Sequence, residues 1–155
     1  MNIRRIEAGI FDSGSDFDSS MTPFESGLEN FIDLGKKGFM GRDALMVANS
    51  GVRLFGLRCN SSTPHASDLV LSDNAPVGKV TTGAFSPYLD CGIGYVRFDK
   101  PSDWSGKTLT LQSHKFGEVS CTIVDLPFYD KEKKIVKGID RTIPTKPDSK
   151  HFDAK

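Results

Sequence analysis

Six short strand-like segments, which recur at intervals of about ten residues over 52–127, constrain the fold of this chain more than any other feature. Each is rich in β-branched and aromatic residues and is bounded by Gly, Pro, Asn or Asp. The segments are 52–59, 68–71, 77–85, 92–98, 108–112 and 118–124. This spacing is typical of an antiparallel sandwich or a small barrel. We therefore expect a mainly β protein with a C-terminal antiparallel six-stranded barrel of Greek-key or jelly-roll type.

The first fifty residues differ from this pattern and mix short apolar runs with Gly and Asp. Apolar spacing predicts a short helix over 3–10. Thr22-Pro23, with Glu25 following, predicts a capped helix start, and a brief helix because Gly27 comes so soon. The stretch 28–34 is expected to be a strand or a half-buried segment, and 42–47 a second short helix. We interpret this region as a short α/β segment from a neighbouring domain.

Three regions follow from these patterns: 1–50, the barrel over 51–130, and a polar, lysine-rich tail over 131–155. The tail lacks the apolar content to fold alone, and we expect it to lie on the barrel. The N-terminal region opens with a charge-dense motif and has no element before it to pack against. We therefore expect the chain to be the C-terminal part of a longer enzyme.

Charge and cysteine usage exclude several classes of protein. Lys plus Arg and Asp plus Glu both number 20, so nothing attracts the chain to nucleic acid or an anionic membrane. No apolar run approaches the length of a membrane span. Cys59, Cys91 and Cys121 are far apart and lie in strand-like stretches, which favours buried thiols over disulfides or a zinc site. We expect a reducing compartment: the cytoplasm, or the mitochondrial matrix in a eukaryote.

Motifs for metal, nucleotide or nucleophilic chemistry are not evident. His65, His114 and His151 have no second ligand at metal-binding spacing and are expected to be exposed. Gly92-Ile93-Gly94 opens a strand rather than a helix, so its glycines more plausibly permit close packing or a bulge than hold a phosphate. No nucleophile elbow is present.

Charged side chains near the N-terminus leave two alternatives open. Asp12, Asp16 and Asp18 do not match the order of a calcium loop, which favours turn capping or a partner surface. Arg5 and Glu7 are two apart, so they do not face each other on a helix. Arg5 either pairs with Glu25 or an aspartate of the loop, or faces a carboxylate-bearing ligand. Spacing alone favours the pair.

Several segments, in order, resemble the aminomethyltransferase family: the T-protein of the glycine cleavage system and related folate-dependent demethylases. They are Arg5-Ile6-Glu7-Ala8-Gly9, Gly14-Ser15-Asp16-Phe17-Asp18, Thr22-Pro23-Phe24-Glu25-Ser26-Gly27-Leu28, Phe39-Met40-Gly41-Arg42-Asp43-Ala44-Leu45, Gly78 to Pro87, Ile93 to Val96 and Leu126 to Tyr129. The likeness covers residues 3 to about 129. Phe31 departs from it, because family members often have Trp there.

The resemblance implies the C-terminal portion of a tetrahydrofolate-dependent enzyme that transfers a one-carbon unit. It places Arg5 at the folate and substrate site, and makes Tyr129 a loose candidate for the family's C-terminal tyrosine. The catalytic aspartate would lie in an N-terminal part that this chain lacks, so tetrahydrofolate would bind tightly only to the full-length parent, and the chain alone would be inactive.

Partners implied by the resemblance are the missing N-terminal folate-binding domains, or a second copy of the chain. An exposed apolar patch is then expected around Arg5, Gly9 and Phe24. The alternative is a non-catalytic module that binds folate or a protein partner.

Overall fold

The structure is a computed structural model that describes residues 2–141. Helix α1 spans Asn2–Glu7, a 3-10 turn spans Glu29–Phe31, and helix α2 spans Arg42–Met46. The strands are β1 (Leu54–Cys59), β2 (Leu69–Ser72), β3 (Ala75–Ser86), β4 (Cys91–Phe98), β5 (Thr108–Ser113) and β6 (Gly117–Val124). All six predicted strands are present, and so are the helices predicted near 3–10 and 42–47.

The six strands form a closed barrel in the order β1-β4-β3-β2-β5-β6, with every neighbouring pair antiparallel. Strands β2, β3 and β4 are neighbours in sequence order, and β1 lies beside β4 after the longer connection over 60–68. That arrangement is a Greek key. It confirms the predicted mainly β fold with an antiparallel six-stranded barrel.

Strand β4 is buried on both of its faces and therefore divides the apolar core into two clusters. Val96 and Phe98 point into the barrel, where they pack with Leu57, Val80 and Leu111. Alternate residues of the same strand point outward, as strand geometry requires. The outer cluster consists of Ile6, Leu54, Cys91, Ile93 and Tyr95, so α1 covers this side of the barrel.

The connection over 60–68 closes against glycines of β3 and β4. A Cβ atom on Gly92 would lie 2.0 Å from the Ser62 carbonyl oxygen, and one on Gly83 would lie 2.0 Å from the Pro64 carbonyl oxygen. No side chain fits at either position, because real Cβ atoms do not approach backbone so closely. The interpretation of Gly92-Ile93-Gly94 as a close-packing element, rather than a phosphate cradle, agrees with this geometry.

The capping motif at Thr22 forms, but the helix after it does not extend. The Thr22 backbone N–H donates to Glu25 Oε2 at 2.8 Å, and the Glu25 N–H donates to Thr22 Oγ1 at 3.2 Å. Gly27, at φ +70°, then ends the segment after one hydrogen-bonded turn. The prediction of a helix here was wrong in extent, because the left-handed glycine comes too early.

Of the two alternatives for 28–34, the structure has the half-buried segment. It contains a 3-10 turn, and Leu28, Ile32 and Leu34 are partly buried. A strand would need a partner with unpaired backbone groups, and the closed barrel has no free edge to offer.

Beyond the barrel the chain turns back on itself over 130–140. The Asp130 carboxylate accepts hydrogen bonds from the backbone N–H groups of Lys134, at 2.6 Å, and Ile135, at 3.0 Å. Residues 131–141 are exposed. The remainder of the predicted tail, with His151, lies outside the described residues.

Cys59, Cys91 and Cys121 are all buried and free, as predicted. Burial raises the pKa of the Cys121 thiol to about 12. Within residues 2–141 no helix has both the length and the apolar character that crossing a bilayer requires.

Candidate functional site

Helix α1 is held on the barrel by one buried tyrosine. It packs against β3 and β4, with Ile6 fully buried. The Tyr95 hydroxyl lies 3.0 Å from the carbonyl oxygens of Arg5 and Ile6 and 3.2 Å from that of Ile10. Burial, followed by the charge of Asp16, raises the pKa of Tyr95. The phenol therefore stays protonated and remains a donor to the end of α1.

Arg5 pairs with a buried carboxylate. Its Nη1 lies 2.7 Å from Asp16 Oδ2, and the Asp16 side chain is fully buried while that of Arg5 is 20% exposed. Nη1 also donates to the Ile10 carbonyl and Nη2 to Thr82 Oγ1, each at 3.2 Å. Of the pairings considered from the sequence, the loop aspartate is the one that forms. Glu25 instead pairs with Arg53 at 3.3 Å.

Two adjacent threonines complete the shell of Asp16. The hydroxyls of Thr81 and Thr82 donate to Asp16 Oδ1 at 2.8 and 2.7 Å. Successive residues of a regular strand point to opposite faces, but the β3–β4 register shifts between Val80 and Thr82. This irregularity brings both hydroxyls to one carboxylate oxygen. Sequence reasoning missed this part of the site, because a bulge leaves no clear signal in a single sequence.

Glu7 is the second buried carboxylate of the N-terminal motif. It accepts a hydrogen bond from Ser86 Oγ at 2.5 Å and one from the Tyr129 hydroxyl at 3.3 Å. Burial, followed by the Glu7 charge, raises the pKa of Tyr129. Gly9 then passes close to Pro127, where an added Cβ would lie 3.2 Å from the proline Cα. Helix α1 is thereby fastened both to β3 and to the segment that leaves the barrel.

A cavity of about 590 Å³ lies between α1 and this departing segment. Its lining residues are Arg4, Arg5, Ala8, Ile10, Pro127, Tyr129, Asp130, Lys133, Ile135 and Val136. Arg5 and Tyr129, the two residues that the family resemblance singled out, therefore line one cavity. Its size falls within the ordinary range for small-molecule sites.

The remaining carboxylates and histidines of the sequence analysis have structural partners. Asp12 accepts from Ser15 Oγ at 2.8 Å, and Asp18 accepts from Ser20 and from Arg97. The Ser20 hydrogen bonds, followed by Arg97, lower the pKa of Asp18 to about 2. This is the turn capping that was expected of the loop.

His65 and His114 are exposed, as predicted, although His114 Nδ1 also lies 2.7 Å from the buried Asp68 carboxylate. Among the described residues no group of three His, Cys, Asp or Glu side chains could hold a metal ion.

Exposed apolar side chains lie only partly where they were expected. Ile10, beside Gly9, is exposed, whereas Phe24 is half-buried. A second set lies on the segment between the capping turn and the barrel: Phe31, Met40, Met46 and Val47, of which Phe31 is 84% exposed and Met40 99%. These four residues are called the 31–47 apolar set below.

Similar proteins agree with the barrel and with the N-terminal motifs. Residues 53–130 match the family model for the glycine cleavage T-protein C-terminal barrel domain. An aminomethyltransferase of Caldanaerobacter subterraneus subsp. tengcongensis is 33% identical over 134 residues, which make up 84% of this chain and 36% of that protein. One of Cupriavidus necator is 32% identical over 136 residues, 85% of this chain and 35% of that protein.

The solved structure of the glycine cleavage system aminomethyltransferase T from Bartonella henselae has a similar fold. It superposes with a TM-score of 0.68 at 23% identity, covering 81% of this chain and 37% of that one. The chain thus spans little more than a third of the length of these relatives. Since the family model matches 78 residues, half of the chain, and matches the closed barrel itself, the protein belongs to the glycine cleavage T-protein C-terminal barrel domain family.

Proposed function

We propose that this chain works as the C-terminal part of a tetrahydrofolate-dependent aminomethyltransferase or demethylase, which transfers a one-carbon unit to tetrahydrofolate. The observation that carries the proposal is the position of Arg5. It matches the family arginine of the folate and substrate site, it is partly exposed, and it lies on the wall of the 590 Å³ cavity. In this proposal residues 1–50 belong to the folate-binding region, 51–130 form the barrel domain and 131–155 are a polar tail.

The chemistry of the guanidinium supports this role. Folates and substrates of the glycine-derivative or sulfonium-propionate type all carry carboxylates, and arginine pairs with carboxylates through two parallel hydrogen bonds. Asp16 and Thr82 hold the Arg5 guanidinium in one orientation before any ligand arrives. A group that is already oriented loses little conformational entropy on binding. The pairing with Asp16 is therefore compatible with a ligand-facing role.

The isolated 155-residue chain is proposed to be inactive, since the relatives it matches have nearly two-thirds of their length in regions beyond it. The test is an assay of one-carbon transfer to tetrahydrofolate. We expect no product from the chain alone, and product once the N-terminal two-thirds of a relative is added. Arg5→Gln should abolish the restored activity, whereas Arg97→Gln, which removes a surface pairing with Asp18, should not. Turnover by the chain alone would contradict the proposed inactivity.

A second candidate is a module that binds a protein partner without catalysis, in the same reducing compartment that the buried thiols favour. The 31–47 apolar set favours it, because an exposed apolar patch on a domain marks an interaction surface. The partner would be the N-terminal folate-binding domains or a second copy of the chain. Tetrahydrofolate titration separates the two candidates, and sedimentation velocity reports self-association. Association without any folate binding would favour the second candidate.

A further inference from the structure

The cavity beside α1 has two cations at its wall that are not used for folding. Within residues 2–141 neither the Arg4 guanidinium nor the Lys133 ammonium takes part in an ion pair, whereas Arg5 is engaged by Asp16. Both side chains line the cavity. A concave site that carries two uncompensated positive charges attracts an anion.

The one carboxylate in the lining does not neutralise them. Asp130 directs its two oxygens to the backbone N–H groups of Lys134 and Ile135. Those hydrogen bonds fold the segment that presents Lys133 to the cavity. Asp130 therefore builds the wall of the cavity and leaves its positive charge in place.

The rest of the lining is apolar or neutral. Ala8 and Ile10 come from the α1 side, and Pro127, Ile135 and Val136 come from the segment after the barrel. The Tyr129 phenol is neutral because burial and Glu7 raise its pKa. A ligand that fits such a surface has a flat or apolar body and a negative end, because a small hydrophilic anion would leave the apolar wall in water.

We propose that this cavity binds a carboxylate carried on an apolar or aromatic body, with the carboxylate at Arg4 and Lys133 and the body against Ile10, Pro127 and Ile135. Two sources have this chemistry: the aminobenzoyl-glutamate end of a folate, or a free carboxylate substrate. Only the choice of the first source rests on the proposed function. The site itself rests on the lining residues, and it assigns roles to Arg4 and Lys133, which lie outside the motifs of the sequence analysis.

The test is an NMR titration of the ¹⁵N-labelled 155-residue chain with N-(4-aminobenzoyl)-L-glutamate. We expect saturable shifts of the amide signals of Ala8, Ile10, Ile135 and Val136. Arg4→Gln and Lys133→Gln should each weaken binding about fivefold, the size expected for one charge-assisted contact at a partly exposed site. Both residues are on the surface, so neither substitution threatens the fold.

Two controls separate this site from general attraction of anions. Lys115→Gln, in the turn between β5 and β6, removes a lysine that is outside the cavity lining and should leave the affinity unchanged. 4-Aminobenzamide, which has the ring but no carboxylate, should bind at least about tenfold more weakly. The proposal is overturned if the amide analogue binds equally well, if the shifts lie elsewhere, if no saturable shift occurs, or if the two variants bind like the parent chain.

Titration with tetrahydrofolate then distinguishes the two sources. If its binding is weakened by the same two substitutions, the folate end occupies the cavity. If aminobenzoyl-glutamate binds and tetrahydrofolate does not, the site takes a free carboxylate, and the proposed function loses its ligand on this chain. If tetrahydrofolate binds with unchanged affinity in both variants and shifts other signals, the cavity proposal fails and the proposed function stands.

Discussion

The barrel and the segment that precedes it are stabilised in different ways. Inside the barrel the buried side chains are apolar and close on themselves through strands on every side. Over 2–50 the described chain has two short helices and one 3-10 turn, and its buried residues include Glu7, Asp16 and Ser26. The barrel therefore depends on burial of apolar area, whereas the segment depends on hydrogen bonds and ion pairs made to the barrel.

This contrast shows how the two regions should respond to substitution. Loss of apolar volume should lower the stability of the barrel, and through it of everything attached to it. Loss of one polar partner should release the segment and leave the barrel folded. The following predictions test that distinction.

Phe98→Ala should have the largest effect. Phe98 is fully buried and stacks on Trp104 at 4.2 Å between ring centroids. We expect the free energy of unfolding to fall by about 3–5 kcal/mol, because the substitution removes apolar area and leaves a cavity. Urea unfolding followed by the fluorescence of Trp104, the single tryptophan, measures it. A loss below about 1 kcal/mol would contradict the assigned core.

Asp16→Ala should come next, with a loss of about 3 kcal/mol, because it leaves the Arg5 guanidinium and the Thr81 and Thr82 hydroxyls without their acceptor. Hydrogen exchange should rise over 2–20 while the strands stay protected. Asp12→Ala, at an exposed position of the same loop, is the matched control and should change little. Equal loss of protection in strands and segment would contradict the separation of the two regions.

Acid should loosen the segment at the capping turn. The Thr22 backbone hydrogen bond, then Arg53, lower the pKa of Glu25 below 4.5. Because the folded pKa is the lower one, the stabilisation is complete above pH 4.5 and is lost as the pH falls through the folded value. Glu25→Gln should remove this dependence at a cost of about 1 kcal/mol at neutral pH.

Carboxyl NMR over pH 5 to 1.5 follows this titration, and Asp18 should titrate at about pH 2 in the same experiment. Ser20→Ala should move the Asp18 midpoint toward 3.8, since the Ser20 hydrogen bonds are the main cause of its lowered pKa. An unchanged midpoint would show that Arg97 rather than Ser20 holds the carboxylate ionised.

Phe31→Ser should have the smallest effect on the isolated chain, within about 0.5 kcal/mol, because the ring is almost wholly exposed. It should nevertheless weaken association with a partner if the 31–47 apolar set is an interface. Urea unfolding and sedimentation velocity of the same variant separate these two quantities. A large loss of stability would mean that Phe31 packs within the chain after all.

The sequence predicts the barrel well, because strand formers bounded by turn residues are a local signal that closure of the barrel reinforces. It predicts the segment poorly for the opposite reason. The capping motif at Thr22 is recognised correctly, yet Gly27 limits it to one turn. The pairing of Arg5 with a loop aspartate follows from chemistry, but the choice of Asp16 over its neighbours depends on where two threonines 65 residues away point. Long-range polar contacts of this kind leave no periodic pattern.

The irregularity between Val80 and Thr82 links the two regions in time as well as in space. Both hydroxyls reach Asp16 only when β3 pairs with β4 in the observed register, because a slip by one residue would turn the side chains to the other face. The loop can therefore dock only on a barrel whose strands are already correctly paired. Attachment of α1 acts as a proofreading step for the barrel, and the cavity beside α1 exists only on molecules that have passed it.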